Sequence, residues 1–343
     1  MYGLAAPGCR PPRQAGRTGT GTAADAATDA ATGTDAATDN AAAEARGRVA
    51  SCRVTNLRIG VMYDRAWSPE GLPAFARDVE ALGADDLWVV EDLGWGGGIS
   101  AAALALAATS RLRVGLGIAP APLRNPALLA MEAAFLARVH PGRFVAGLGH
   151  GVTEWMASVG AAPGSALALL GESAEALRTL LRGERVQTQG REVRIDDLRL
   201  VHPPEVVPPV VLGVVRPRSL ELAGRVADGT VIAEGHGPAD LEAALALIRN
   251  GGGAPDHELI VFAYAAVADE AGRAAEALRD KVEDQAGWLG RAPGELFTVS
   301  GTPADAVARI AELEAAGATS VVLRFSGDEP VRQLAAVLAA RRG

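Results

Sequence analysis

Short apolar runs alternate with longer amphipathic segments along the chain from Leu57 to the C-terminus. Each run is short and continuously apolar, as in strands buried on both faces, and each longer segment has apolar residues at helical spacing. Such alternation predicts an α/β fold with parallel strands, because parallel neighbours need a crossover connection. We interpret eight runs as buried strands: Leu57–Val61, Asp86–Val90, Arg113–Ile118, Arg143–Leu148, Val210–Val215, Thr230–Ala233, Glu258–Val267 and Ser320–Phe325.

The clearest strand–helix–strand unit spans residues 112–151. Asn125 suits the N-cap of a helix and Pro126 its first position, where a missing N–H costs nothing. In parallel units of this kind, functional residues lie beyond the carboxyl ends of the strands. We therefore expect one rim to carry two short segments, Gly117-Ile118 and Gly149-His150-Gly151.

The remaining periodic segments predict helices and one β-hairpin. Glu184–Leu200 alternates polar and apolar residues around a turn at Gln189-Gly190, which predicts the hairpin. Eight buried strands alternating with helices predict a (β/α)8 TIM barrel, and an open doubly wound sheet is the alternative. The expected helices include Pro69–Leu82, one capped by Ser100 and ending at Thr109, Ala127–Val139, Ala166–Leu181, Arg216–Val226, Pro238–Arg249, two separate stretches over Glu270–Asp284 and Gln285–Leu289, and one starting at Thr302.

Residues 1–53 have a different composition from the rest of the chain. They are rich in alanine, threonine, glycine and aspartate, with almost no large apolar side chain. Such a segment cannot bury enough surface to offset its ordering entropy. We predict a disordered low-complexity extension over 1–53, followed by one folded domain over 54–343.

Composition narrows the class of protein. Hydrophobic residues make up 49% of the 343 and charged residues 22%, as in a soluble globular protein. The net charge of −8 argues against nucleic acid or an anionic membrane as the main partner. The two cysteines, Cys9 and Cys52, form neither a disulfide framework nor a zinc motif, so we expect no metal site and a cytoplasmic location.

A phosphate site is predicted after the fifth strand. Gly213 is followed by Arg216-Pro217-Arg218-Ser219 at a helix start, which offers free backbone N–H groups, a hydroxyl and two guanidinium groups. The alternative interpretation is a helix cap with two solvated arginines.

The ends of two further strands carry candidates for proton transfer, Glu91-Asp92 after the second strand and His150 after the fourth. Glu91 and Asp92 follow the second strand, and two adjacent carboxylates would repel and raise the pKa of one. A loop pair that faces water is the alternative. His150 lies between glycines at a strand end, which suits a functional histidine better than a core one.

The stretch AATSRLRVGLGI…RNPALLAMEAAFLARVHPGRFVAGLGHG resembles the bacterial luciferase-like family of flavin- and deazaflavin-dependent oxidoreductases. The resemblance implies a TIM barrel with coenzyme F420 in its mouth, or FMN as the alternative. It also implies a cis peptide at Gly117–Ile118 behind the cofactor ring, and a phosphate-binding role for the segment that contains Arg216 and Arg218. Glu91-Asp92-Leu93 favours F420, because FMN-using members often have Glu-His-His there.

The implied function is hydride transfer between F420 and a small organic substrate, in an enzyme that could form a homodimer. An FMN-dependent monooxygenase and a non-catalytic flavin- or F420-binding protein are the alternatives. A Schiff-base enzyme is disfavoured, because the one lysine, Lys281, falls on a helix. The predicted catalytic residues are Glu91, Asp92 and His150, and the predicted cofactor contacts are Gly117, Ile118, Gly149, Gly151, Gly213, Arg216, Pro217, Arg218, Ser219 and Glu234.

Overall fold

Eight parallel strands form a closed barrel in the computed structural model, which describes residues 57–327 and 329–343. Each strand pairs with the next one in the chain, and the last pairs back onto the first. This closure confirms the (β/α)8 TIM barrel and excludes an open sheet. The strands are β1 (Arg58–Met62), β2 (Asp86–Val89), β3 (Arg113–Leu116), β4 (Phe144–Gly149), β5 (Val210–Gly213), β6 (Gly229–Ile232), β7 (Glu258–Val267) and β8 (Ser320–Phe325).

Helices occupy the crossovers, with bounds close to those predicted. Asn125 caps its helix as expected, because its side chain accepts a hydrogen bond from the Ala127 N–H. The predicted disordered extension over 1–53 lies outside the described residues. The helices are α1 (Leu72–Leu82), α2 (Gly98–Ala108), α3 (Pro126–Val139), α4 (Thr153–Ser158), α5 (Ala166–Leu181), α6 (Pro217–Val226), α7 (Pro238–Asn250), α8 (Ala271–Leu289), α9 (Pro303–Ala315) and α10 (Pro330–Arg342).

Two helix predictions were wrong in detail. The helix after β2 begins at Gly98 rather than at Ser100, because the Glu91 side chain accepts the Gly98 N–H at 2.9 Å and supplies the cap. The two stretches after β7 form one helix, α8, since no proline or chain reversal interrupts it before Gly290, whose φ is 64°.

Three short pairings supplement the barrel. The predicted hairpin is confirmed, as Val186–Gln189 pairs antiparallel with Arg194–Leu198. Ala119–Pro120 and Val299–Gly301 add two short strands that the apolar pattern did not predict. In the described part of the chain, no helix has the length and apolar character needed to cross a membrane.

The barrel interior is filled by side chains around Trp88, which is fully buried. Its indole meets the Phe262 ring with centroids 5.3 Å apart. Gly115 of β3 makes this packing feasible, since a Cβ there would lie 2.4 Å from the Trp88 ring. Glycine in β3 therefore reflects a close approach between a strand and an aromatic ring.

Charged groups close the barrel at the amino ends of its strands. Asp86 is fully buried, accepts a hydrogen bond from the Ser320 hydroxyl at 2.8 Å and lies near the guanidinium groups of Arg58 and Arg113. Both arginines also pair with Glu258. This network lies opposite the barrel mouth, the end where TIM barrels carry their active sites, and we assign it to stability.

Candidate active site

A cavity of about 810 Å³ opens at the carboxyl ends of the barrel strands. Its floor is the top of the barrel core, and its walls come from the loops after the strands and from α8. Five of the predicted site residues line it, namely Asp92, Gly117, Ile118, Gly213 and Glu234. The position agrees with the general location of active sites in this fold.

One wall of the cavity is formed by the Gly117–Ile118 segment, whose peptide bond is cis, as the resemblance implied. β3 ends at Leu116, two residues before the predicted end. The Ile118 side chain packs over the ends of β4 and β5, where a Cβ on Gly149 would lie 1.7 Å from Ile118 Cδ1 and one on Gly213 2.9 Å. Gly149 thus makes room for Ile118 and does not line the cavity, and its expected contact with a cofactor stays a prediction.

His150 and Ser219 lie together beside this wall. His150 Nε2 and Ser219 Oγ are 2.9 Å apart, which joins the end of β4 to the first turn of α6. Burial lowers the pKa of His150, against an opposing effect from the backbone of Ala166, so the imidazole is neutral at pH 7. Gly151 turns the chain with φ 69°, and a Cβ there would lie 3.0 Å from the Met156 sulfur, so its role in the fold is to allow the turn.

The predicted phosphate-binding arginines lie at the N-terminus of α6. Arg216 is the N-cap residue, Pro217 occupies the first turn, and Arg218 follows it. All three are exposed, and neither arginine side chain has a hydrogen bond or ion pair with the described residues. Pro217 has no N–H and the Ser219 N–H donates to the Arg216 carbonyl, so the two unpaired guanidinium groups at this helix N-terminus are the main groups suited to an anion.

Glu91 and Asp92 do not face each other as a repelling pair. Arg124 holds Glu91 through two hydrogen bonds of 2.6 Å, and Asp92 pairs with Arg65. Both oxygens of Glu91 are therefore engaged, and its side chain caps α2 outside the cavity lining. The predicted carboxylate repulsion is wrong because each group has its own guanidinium partner.

A charged cluster occupies the inner wall between β1, β6 and β8. Arg324 donates to Asp64 at 2.9 Å and to Glu234 at 3.0 Å, and both carboxylates are buried. Lys281 Nζ of α8 lies 3.1 Å from the same Asp64 oxygen. Burial alone would raise the pKa of Asp64, but Arg324 and Lys281 hold that pKa well below its usual range. Asp64 is therefore a carboxylate at neutral pH.

Tyr264 lies against this cluster. The Arg324 guanidinium carbon is 5.4 Å from its ring centroid, and the Lys281 nitrogen is 5.9 Å from it. Burial, together with the nearby Glu234, raises the pKa of Tyr264 to about 12. The phenol is therefore protonated at neutral pH and is a hydrogen-bond donor.

Tryptophan side chains form much of the cavity mouth. Four of the five tryptophans in the chain line the cavity, and they are Trp67, Trp95, Trp155 and Trp288. The Arg65 guanidinium lies between two of them, 5.3 Å from the Trp95 ring and 5.9 Å from the Trp155 ring. Such a mouth suits a flat or apolar ligand, because indole rings offer large faces for stacking.

The amino-acid sequence of the chain matches a known protein family. The model of the luciferase-like monooxygenase family matches residues 53–320. The chain belongs to the luciferase-like monooxygenase family. It is similar to the 5,10-methylenetetrahydromethanopterin reductase of Methanolobus tindarius, at 28% identity over 58% of this chain and 73% of the relative.

Two further proteins are similar to this luciferase-like chain. The F420-dependent glucose-6-phosphate dehydrogenase of Nakamurella multipartita is 32% identical over 33% of this chain and 34% of its own length. The structure of an F420-dependent secondary alcohol dehydrogenase, in complex with an F420-acetone adduct, superposes with a TM-score of 0.74 at 20% identity. That match covers 84% of this chain and 99% of the other. The structural match supports the shared fold.

Sequence reasoning missed part of the luciferase-like cavity. Asp64 and Arg324 follow or end barrel strands and were expected on the rim, but neither was predicted to be catalytic or to contact the cofactor. Tyr264 lies within β7, and nothing in the apolar run distinguishes it from core residues. Lys281 was set aside because it lies on a helix, yet its side chain reaches the cavity. The sequence did offer one signal for a special role of Lys281, which is that it is the one lysine of the chain.

Proposed function

We propose that this luciferase-like protein is an F420-dependent oxidoreductase that transfers a hydride between F420 and a small organic substrate. The observation that carries the proposal is the juxtaposition of a cavity backed by Ile118 with an unpaired cationic patch at the start of α6. Coenzyme F420 has both a flat ring and a phosphate. The cavity suits the ring, and the cationic patch suits the phosphate. The similarity to F420-dependent relatives supports the choice of cofactor.

The residues present fit such a cofactor. In this proposal Gly117 and Ile118 support the ring, while Arg216, Arg218 and the Ser219 hydroxyl hold the phosphate. Bound F420 would supply the hydride-transfer chemistry. The protein would bind and orient the cofactor and the substrate, and it would exclude water from them. Asp92 and the neutral His150 stay our candidates for handling a proton. Glu91, fully engaged by Arg124 and Gly98, is better suited to holding the loop in place.

The test is to titrate the purified protein with F420 and, separately, with FMN, and to follow the fluorescence of each cofactor. We expect F420 to bind more tightly than FMN. Tight binding of FMN alone would instead favour an FMN-dependent monooxygenase, the alternative within the family. If F420 binds but no reduced or oxidised F420 is consumed with any of a panel of alcohols, aldehydes and ketones, a non-catalytic binding protein is favoured.

We also propose that the enzyme is a homodimer in the cytoplasm. The exposed face of α3 carries four large apolar side chains at helical spacing, which are Leu128, Met131, Phe135 and Val139. Exposed apolar stripes of this kind mark interaction sites, and an isologous pair of copies buries the same stripe twice. The absence of any disulfide framework in the sequence supports a reducing compartment.

Replacing Phe135 with aspartate should shift the protein towards a monomer, because a charge at the centre of an apolar interface must be desolvated. Light scattering coupled to size-exclusion chromatography would measure the mass against 35.1 kDa per chain. The matched control is Val201→Asp, which changes a residue that is 86% exposed elsewhere on the surface. A wild-type mass of one chain, or a dimer that survives Phe135→Asp, would refute the interface.

A further inference from the structure

Each cation that lines the cavity already has a carboxylate partner. Arg65 pairs with Asp92, and Lys281 pairs with Asp64. Arg324 pairs with both Asp64 and Glu234. No cation in the lining is therefore left without a carboxylate partner. An anionic group that entered here would have to share a cation that already holds a carboxylate and would lie close to that carboxylate.

The sign of the lining also opposes an anion. Its cations are the three just named, and its carboxylates are Asp64, Asp92, Glu234 and Asp284. The lining therefore carries a slight excess of negative charge at neutral pH. The unpaired cations Arg216 and Arg218 lie outside the cavity lining, at the start of α6. The unpaired cations thus lie beside the cavity, directly after its lining residue Val215, and not among the groups of the inner wall.

One polar group in the inner wall has unused hydrogen-bonding capacity. The Tyr264 hydroxyl makes no hydrogen bond with the described residues, although the side chain is 7% exposed and lines the cavity. This hydroxyl is not among the fully buried side-chain atoms that lack a partner, so it is accessible from the cavity and can donate to a bound ligand. The positive charges of Arg324 and Lys281 lie against the Tyr264 ring. They stabilise partial negative charge on a ligand oxygen that is bound nearby.

We propose that the inner end of the cavity is a subsite for an uncharged substrate, whose carbonyl or hydroxyl oxygen accepts a hydrogen bond from Tyr264. The inference rests on the proposed function, because it assigns the substrate half of the same cavity. Tyr264 is then a residue that touches the substrate and determines specificity. We expect carboxylates and phosphate esters to bind more weakly, since the lining has four carboxyl groups against three cations and each cation already has a carboxylate partner.

The experiment uses a matched pair of unreactive probes, cyclohexanecarboxamide and cyclohexanecarboxylate. They have nearly the same shape, and only the second carries a charge at neutral pH. Binding of each is measured by isothermal titration calorimetry to the F420-loaded protein and to the cofactor-free protein. We expect the amide to bind in the millimolar range or tighter, and the carboxylate to bind at least about tenfold more weakly.

The variant Tyr264→Phe removes only the hydroxyl, and we expect it to weaken amide binding roughly tenfold while F420 affinity is unchanged. Tyr63→Phe is the matched control, because the Tyr63 hydroxyl donates to the Ser68 carbonyl away from the cavity lining. Circular dichroism checks the fold of both variants. If Tyr264→Phe does not fold, the comparison of the two probes on the wild-type protein still decides the matter.

Three results would overturn the subsite: equal affinity for the two probes, an amide affinity unchanged by Tyr264→Phe, or no amide binding in the millimolar range. Failure of the proposed function has a separate signature. In that case F420 does not bind, while the cofactor-free protein still prefers the amide and loses this preference in Tyr264→Phe.

Discussion

Trp88→Ala is expected to lower the free energy of unfolding by about 3–5 kcal/mol, the usual cost of removing a large aromatic side chain from a core. Trp88 is fully buried at the centre of the barrel, where its ring meets Phe262 and lies under Gly115 and Gly117. The surrounding strands are hydrogen-bonded around a closed ring and cannot collapse into the space. Denaturant unfolding followed by far-ultraviolet circular dichroism would measure the loss.

The matched control is Trp288→Ala, which removes the same side chain from a position that is 71% exposed on α8. Its unfolding free energy should stay within about 0.5 kcal/mol of the wild type, as for most surface substitutions. A Trp88→Ala protein as stable as the control would mean that the barrel interior is not packed around this ring. If Trp88→Ala yields no folded protein, Trp88→Phe should give an intermediate stability.

The double variant Arg216→Ala, Arg218→Ala is expected to weaken F420 binding about a hundredfold or more. Hydrogen bonds to charged groups contribute about 1.5–3 kcal/mol each, and about 1.4 kcal/mol corresponds to a tenfold change. Both guanidinium groups are unpaired with the described residues and exposed at the start of α6, so their removal leaves no buried carboxylate without a partner. Fluorescence titration with F420 gives the dissociation constants.

Arg225→Ala on the same helix is the control, since Arg225 is exposed in the last turn of α6, far from its N-terminus. This variant should bind F420 like the wild type. The loss in the double variant should also shrink as salt concentration rises, because ions screen exposed charges. Unchanged F420 affinity in the double variant would remove the phosphate assignment and leave two solvated arginines, the alternative drawn from the sequence.

Several predictions from the linear pattern agree with the structure because they depend on local chemistry. The barrel follows from eight apolar runs that alternate with helices, and the cap at Asn125 follows from a single side chain. Rim positions such as Ile118, His150 and Ser219 could be grouped in advance, since parallel strands all end at one edge. In the structure Ile118 packs at the ends of β4 and β5, and His150 bonds to Ser219.

The linear pattern failed where partners come from distant parts of the chain. Glu91 and Asp92 are adjacent in sequence and suggested mutual repulsion, but Arg124 and Arg65 neutralise them separately. The packing role of Gly149 was also not predicted: it makes room for Ile118, which follows another strand. Neither outcome can be derived from spacing, because each depends on which side chains meet after the barrel has closed.

The barrel, the end of it that carries function and the family resemblance could all be predicted from the linear pattern, since hydrophobic periodicity and turn chemistry act over a few neighbouring residues. Which charges inside the mouth are paired became visible only in the folded barrel. Asp64, Glu234, Lys281 and Arg324 come from four separate segments, and their ion pairs depend on distances of about 3 Å that only the closed barrel creates.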